Sequence, residues 1–168
     1  GLLLKELRTP DFKDYKVDVK RGITNTSDMR ELGKYVRDLI KLNEENRNFR
    51  IFGPDEALSN RLNHVFEVTN RQFMAKTYDY DEFLNNDGRV IDSYLSEHAC
   101  EGMLEGYLLT GRHGFFHTYE AFVRIVDSMA SQHAKWLKVT SELDFRRDIA
   151  SLNYVLTSHI WQQDHNGY

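Results

Sequence analysis

Residues 89–118 read RVIDSYLSEHACEGMLEGYLLTGRHGFFHT. Their reading decides the fold. The stretch 89–95 is strand-like, and Ser96-Glu97 opens a helix over 97–110 that Gly111 ends. Residues 113–118 then form a short strand or a loop. The same alternation extends outward. Upstream, Ser27 is placed to cap a helix over 27–46, in which Met29, Leu32, Val36, Leu39 and Ile40 repeat at helical spacing. A short strand over 49–52 is broken by Gly53-Pro54. A second helix is expected over 55–68, with Asp55 and Glu56 at its positive end. The polar run through Asp79–Gly88 reads as a surface loop. Downstream, a stripe of Phe122, Ile125, Val126, Met129, His133, Trp136 and Leu137 predicts a helix over 120–137, and 151–160 reads as a buried strand. Strands alternating with helices imply an α/β fold, a mostly parallel sheet flanked by helices. In such sheets ligands gather at the carboxyl ends of the strands. Residues 1–26 lack strong periodicity and read as a linker or arm, with a short extended piece over 15–19. Residues 27–168 read as the domain.

Composition narrows the class. A chain of 168 residues is the size of one domain, and 40% hydrophobic residues can fill one core. With 22 basic and 26 acidic residues the net charge is −4, without the basic surplus of a nucleic-acid binder. No apolar run approaches the roughly 20 residues of a membrane helix. The lone Cys100 excludes an internal disulfide and a multi-cysteine zinc site. The chain therefore reads as soluble, cytoplasmic and free of nucleic-acid or membrane partners.

Five constellations bear on chemistry. Glu97, Glu101 and Glu105 are spaced i, i+4, i+8, which makes either a solvated or ion-paired helix face or, at Glu97, a functional carboxyl at a strand-to-helix junction. Among His98, His113, His117, His159 and His165, the His113/His117 pair has ligand spacing only on a helix. Gly111 and Gly114 argue against a helix there, so no protein-held metal is expected. His133 reads as a core histidine. Ser59 and Arg61 follow a strand, a Gly-Pro turn and a helix start, either as an anion site or as ordinary surface residues. Phe115, Phe116, Tyr119 and Phe122 beside glycines suit a flat ligand or plain core. The terminal run, with Gln163, Asp164, His165 and Asn166, is either a polar tail or a set of groups that orient hydroxyls and phosphates. A hydrolase built on the three glutamates is disfavoured, since carboxylates one helical turn apart do not flank a substrate from opposite sides.

At this point a resemblance emerges. Leu95-Ser96-Glu97-His98, Glu101-Gly102, Leu104-Glu105-Gly106-Tyr107, Thr110-Gly111-Arg112-His113-Gly114, Gln132-His133-Ala134-Lys135-Trp136-Leu137, Thr157-Ser158-His159 and Gln163-Asp164-His165-Asn166-Gly167 resemble phosphoketolase. The run Asp55-Glu56…Ser59-Asn60-Arg61-Leu62 matches too. These enzymes are lyases related to transketolase and dependent on thiamine diphosphate and Mg²⁺. The resemblance implies cleavage of xylulose 5-phosphate, and of fructose 6-phosphate in many members, with inorganic phosphate. The products are acetyl phosphate and an aldose phosphate. It also implies that this chain is similar to the middle, pyrimidine-binding domain of a longer enzyme. Carried over on the matching positions, Glu97 bonds the aminopyrimidine nitrogen and so promotes the cofactor ylide. Tyr119 and Phe122 lie beside the pyrimidine and substrate. Ser59, Arg61 and Asn166 hold phosphate, with Tyr119 at the substrate, while Gln163 and His165 sit near the reacting carbons. The family's Gly-Asp-Gly half-site for the diphosphate and Mg²⁺ is not matched, since only Asp87-Gly88 occurs. The resemblance thus implies a fragment, inactive alone, that needs the remaining domains of the enzyme and a homodimer or higher homo-oligomer. A non-catalytic interaction or regulatory module of the same fold is the competing reading.

Overall fold

A computed structural model describes residues 6–92 and 95–157. Helix α1 (Asp28–Leu42) leads into strand β1 (Phe49–Phe52). Two-residue strands β2 (Arg71–Gln72), β3 (Leu84–Asn85) and β4 (Val90–Ile91) follow. Then come α2 (Glu97–Leu108), β5 (His113–Tyr119), α3 (Asp127–Ser141) and β6 (Tyr154–Thr157). The six strands form one sheet in the order β3-β2-β4-β1-β5-β6, with every pairing parallel. All carboxyl ends therefore share one edge of the sheet.

Strand alternation divides the core between two faces. Ile51, Val90 and Phe115 pack with Val36, Leu39 and Ile40 of α1. Their neighbours Phe52, Ile91 and Phe116 pack with Cys100, Leu104 and Leu108 of α2 on the other side. Burial on both faces explains why Ile51-Phe52 of β1 and Phe115-Phe116 of β5 are adjacent apolar pairs rather than apolar residues alternating with polar ones.

Several expected elements form differently. No helix spans 55–68. Asp55 (φ 62°) and Arg61 (φ 60°) are left-handed, which a right-handed helix excludes. Bonds from Asn60 N–H to the Glu56 carbonyl (2.8 Å) and Leu62 N–H to the Ala57 carbonyl (2.9 Å) instead make a compact turn ahead of a 3₁₀ helix, Asn63–Glu67. Burial of Glu56, Ala57, Asn60 and Leu62 holds that turn in place of helical periodicity.

The predicted helix over 120–137 begins as 3₁₀ (Glu120–Val126) before α3. Its apolar stripe is not a core stripe: Val126 and His133 are buried, but Ile125 is 46% exposed. The buried His133 does agree with the core-histidine reading. The expected loop 79–88 contains β3, and among the described residues of the expected strand 89–95 the strand is β4. The pairs Arg71↔Leu84 and Arg71↔Val90 place these short strands, and side-chain pattern cannot announce two-residue strands. In β6, Tyr154 and Val155 are half-buried and Leu156 is exposed rather than fully buried. Among its described residues the arm forms a 3₁₀ turn, Phe12–Tyr15, that takes in the first residue of the expected extended piece; Lys16 after it is extended (φ −66°, ψ 132°), and Tyr15 donates its hydroxyl to Asp38 Oδ2 of α1 (2.6 Å).

Candidate active site

The carboxyl edge of the sheet collects the charged and polar side chains that the core cannot use. Glu97 is the first residue of α2, which follows β4, and it is half-buried at that edge. A carboxylate in a first helical turn is favoured by the helix dipole. Glu56 stands beside it on the turn that leaves β1. It is 8% exposed. Its carboxylate takes a hydrogen bond from the Thr118 hydroxyl at Oε2 (3.4 Å) and another from the Tyr119 N–H.

Burial, reinforced by the negative charge of Glu97, pushes the Glu56 carboxyl up to about 7. Asp92, at the end of β4, fixes Glu56 from below. Its Oδ1 accepts the Glu56 N–H (3.0 Å), and its Oδ2 accepts from Arg71 Nε (3.2 Å). The site therefore holds two neighbouring carboxyls, one of which carries a proton near neutral pH. A buried carboxyl raised in this way can take part in acid–base work near neutral pH.

A pH prediction follows from Glu56. Its folded-state value lies above the ordinary 4.5, so the folded protein binds the extra proton between about 4.5 and 7. Stability contributed by that proton is present at the acid end of the window and lost as pH rises through 7. Glu56→Gln is expected to flatten the fall in melting temperature of the full-length protein between pH 5 and 8. An unchanged slope would refute the assignment of this proton to Glu56.

Behind the carboxyls lies a neutral network. His117 is fully buried, and burial drives its imidazole down to about 3. Asn60 Oδ1 accepts the Thr157 hydroxyl (2.6 Å), so the Asn60 amide N–H₂ donates to His117 Nδ1 (2.9 Å). These contacts join the turn after β1 to the ends of β5 and β6. Within this edge the Cys100 thiol donates to the Gly53 carbonyl (3.2 Å), and burial pushes that thiol up to about 12. It is thus no nucleophile at neutral pH.

The residues singled out from sequence fall in different places. Tyr119 ends β5 and Phe122 lies in the following 3₁₀ segment; their rings are 6.0 Å apart and tilted by 47°. Ser59 and Arg61 are exposed on the turn that leaves β1, so they belong to the same edge. Ser59 Oγ donates to the Glu56 carbonyl (3.0 Å). Arg61 forms no ion pair among the described residues. The helix start expected to supply backbone N–H groups there is absent, so any anion bound at this turn would rely on side chains. Gln163, His165 and Asn166, like His159, lie outside the described residues.

The glutamate row is not a solvated face. Glu101 has no exposure and accepts the Tyr154 hydroxyl at Oε1, while Glu105 Oε1 lies 3.6 Å from His133 Nδ1 on α3. Only Glu97 of the three reaches the carboxyl edge, which removes the three-carboxylate hydrolase. His113 and His117 lie on a strand, without helical ligand spacing. Among the described residues, no cluster of three His, Cys, Asp or Glu side chains could hold a metal, and no helix is long and apolar enough to cross a membrane.

Sequence reasoning missed Glu56, treated only as a helix-end acid, and missed Asp92, His117, Asn60 and Thr157 as a connected set. The available signal was an acid three residues after Gly53, itself at the end of an apolar strand.

Known proteins match this sequence over the whole chain. The family model for D-xylulose 5-phosphate/D-fructose 6-phosphate phosphoketolase matches residues 30–168. A probable phosphoketolase of Clostridium acetobutylicum is 70% identical across 100% of this chain, which covers 21% of that protein. Probable phosphoketolases of Rhodopirellula baltica and Bradyrhizobium diazoefficiens are each 61% identical, with the same shares of 100% and 21%. The chain thus spans about a fifth of the length of these curated relatives.

Proposed function

The chain belongs to the D-xylulose 5-phosphate/D-fructose 6-phosphate phosphoketolase family, and from that premise we propose that it is the pyrimidine-binding part of a thiamine-diphosphate-dependent phosphoketolase. The reaction is cleavage of xylulose 5-phosphate, and of fructose 6-phosphate as a second substrate, by inorganic phosphate. It yields acetyl phosphate, an aldose phosphate and water. The observation that carries this reading is the placement of Glu97. It stands at the carboxyl edge beside the buried Glu56, on the edge that also bears Tyr119 and Phe122.

This chain's residues fit the pyrimidine half of the cofactor: a carboxyl for a ring nitrogen and an aromatic pair at the same edge. Bound thiamine diphosphate would supply the electron sink that cleavage of a carbon–carbon bond beside a ketone requires. Glu97 would bond the aminopyrimidine nitrogen and hold its proton. Glu56, uncharged about half the time near pH 7, limits the negative charge that builds up against Glu97. Tyr119 and Phe122 would pack on the ring and exclude water from it, with Tyr119 also facing substrate. Ser59 and Arg61 would hold the sugar phosphate or inorganic phosphate, Arg61 through its two-pronged guanidinium. Asn166, Gln163 and His165 take the phosphate and reacting-carbon roles that the family resemblance implies. The diphosphate and Mg²⁺ are assigned to the rest of the full-length protein.

The test is direct. Full-length protein supplied with thiamine diphosphate, Mg²⁺, xylulose 5-phosphate and inorganic phosphate is expected to form acetyl phosphate, read as the ferric hydroxamate. Absence of that product in folded, cofactor-saturated protein would overturn the reading and favour a non-catalytic module.

A further inference from the structure

The amino ends of the strands carry a second concentration of charge, of opposite sign to the first. Arg47 precedes β1, Arg50 lies within it, Arg89 precedes β4 and Arg112 precedes β5. Parallel pairing brings these four to one edge, and they line a cavity of about 570 Å³ together with Tyr107 and Gln72. This edge is the opposite one from Glu97, so the cavity is separate from the candidate active site.

The cluster is poorly neutralised. Asp87, the sole acid on the cavity wall among the described residues, pairs with Arg47 (3.1 Å). Arg89 spends its guanidinium on neutral oxygens: the Phe49 carbonyl (2.9 and 3.0 Å), the Arg47 carbonyl (2.8 Å) and the Tyr107 hydroxyl (2.7 Å). Among the described residues Arg50 donates to the neutral Gln72 Oε1 (2.5 Å), and its buried Nε has no partner there. Arg112 has no carboxylate partner among the described residues; it lies 5.6 Å from the centre of the Tyr107 ring, with Arg50 at 5.5 Å from the same ring. Four guanidiniums against one carboxylate leave a formal excess of three positive charges around one cavity.

Such an excess is costly unless something answers it. Burial and mutual repulsion already bring Arg89 down to about 10 and lower Arg50 in the same direction. Stacking on Tyr107 holds two guanidinium forks in place before any ligand arrives, which reduces the ordering cost of binding. With the Tyr107 ring taken up by these two cations, the site favours a compact anion over a flat base. A single carboxylate would leave most of the excess charge unanswered, whereas a multiply charged phosphate matches it.

We propose that this arginine-lined cavity is a binding site for a compact, multiply charged phosphate anion, gripped chiefly by Arg50 and Arg112.

The test uses metal-free full-length protein and inorganic tripolyphosphate, followed by titration calorimetry. Wild type is expected to show a saturable site that weakens with added salt. Arg112→Gln should weaken that site roughly 10- to 100-fold, the value of one charge-assisted hydrogen bond. Arg112 makes no hydrogen bond among the described residues, so this variant keeps its fold. Arg112→Lys, which keeps the charge and loses the fork, should fall between the two. Arg61→Gln controls for binding at the opposite edge and should leave this site's affinity intact. Equal affinity in wild type and Arg112→Gln would overturn the proposal. So would a wild-type protein with no saturable site, as when an acidic segment from elsewhere in the full-length protein fills the cavity.

Discussion

Glu97→Gln in the full-length protein is expected to cut acetyl phosphate formation by roughly 10²–10⁴-fold, the usual value of a positioned proton-holding group. The amide keeps the size of the side chain and can still form a hydrogen bond. It can no longer hold a proton on the pyrimidine nitrogen, so binding of thiamine diphosphate should change much less than turnover. Folding should be nearly unaffected, because Glu97 is half-buried at a helix start and forms no ion pair among the described residues. A second signature separates this role from simple disruption. Glu97 is one reason the Glu56 carboxyl is raised. Removing its charge should let Glu56 titrate at lower pH, visible as a shift in the pH dependence of melting temperature. Turnover within tenfold of wild type would sink the role assigned to Glu97.

Gly53→Ala tests how the fold supports that edge. A methyl group on Gly53 would stand 2.0 Å from His117 Nε2 and 2.2 Å from Cε1. The ring cannot swing away, since His117 is fully buried and tied to Asn60 (2.9 Å). Overpacking of this kind costs about 3 kcal/mol, which in a domain of this size lowers the melting temperature by roughly 6–12 °C. The first unfolding transition of the full-length protein should move down by that amount, with loss of activity on the same heating scale. If the clash is the cause, Gly53→Ala should cost much less in a His117→Ala background, a coupling that a double-mutant cycle measures. Additive effects would rule out the contact as the source.

The candidate site was partly legible in the residues. Of the three glutamates spaced one turn apart, Glu97 stood out because it alone sits at a strand-to-helix junction, where an α/β sheet gathers its ligands, and the helix it begins is bounded by Gly111. Glu56 was hidden by a propensity argument. Asp55-Glu56 looks like a good helix start, yet left-handed Asp55 and Arg61 turn the chain back on itself and put Glu56 inside. Tertiary burial overrode local preference there, as it did for Glu101. By spacing Glu101 belongs to an exposed row, and in the fold it sits under Tyr154 of β6. The arginine cavity had no sequence signature, since Arg47, Arg50, Arg89 and Arg112 are scattered along 66 residues of chain.

By itself the sequence determined the α/β class, the strand β1, the helices α1 and α2, and the phosphoketolase resemblance, while 113–118 stayed open between strand and loop until the parallel pairing of β5 with β1 and β6 settled it. These depend on local periodicity and on contiguous motifs, which a linear reading contains. Only the tertiary structure decided which side chains meet. Parallel pairing in the order β3-β2-β4-β1-β5-β6 sends every carboxyl end to one edge and every amino end to the other. That sorting gathers Glu56, Glu97 and Tyr119 on one side and four arginines on the opposite side. No spacing rule encodes it, because residue neighbours across a parallel sheet are set by the crossovers and not by distance along the chain.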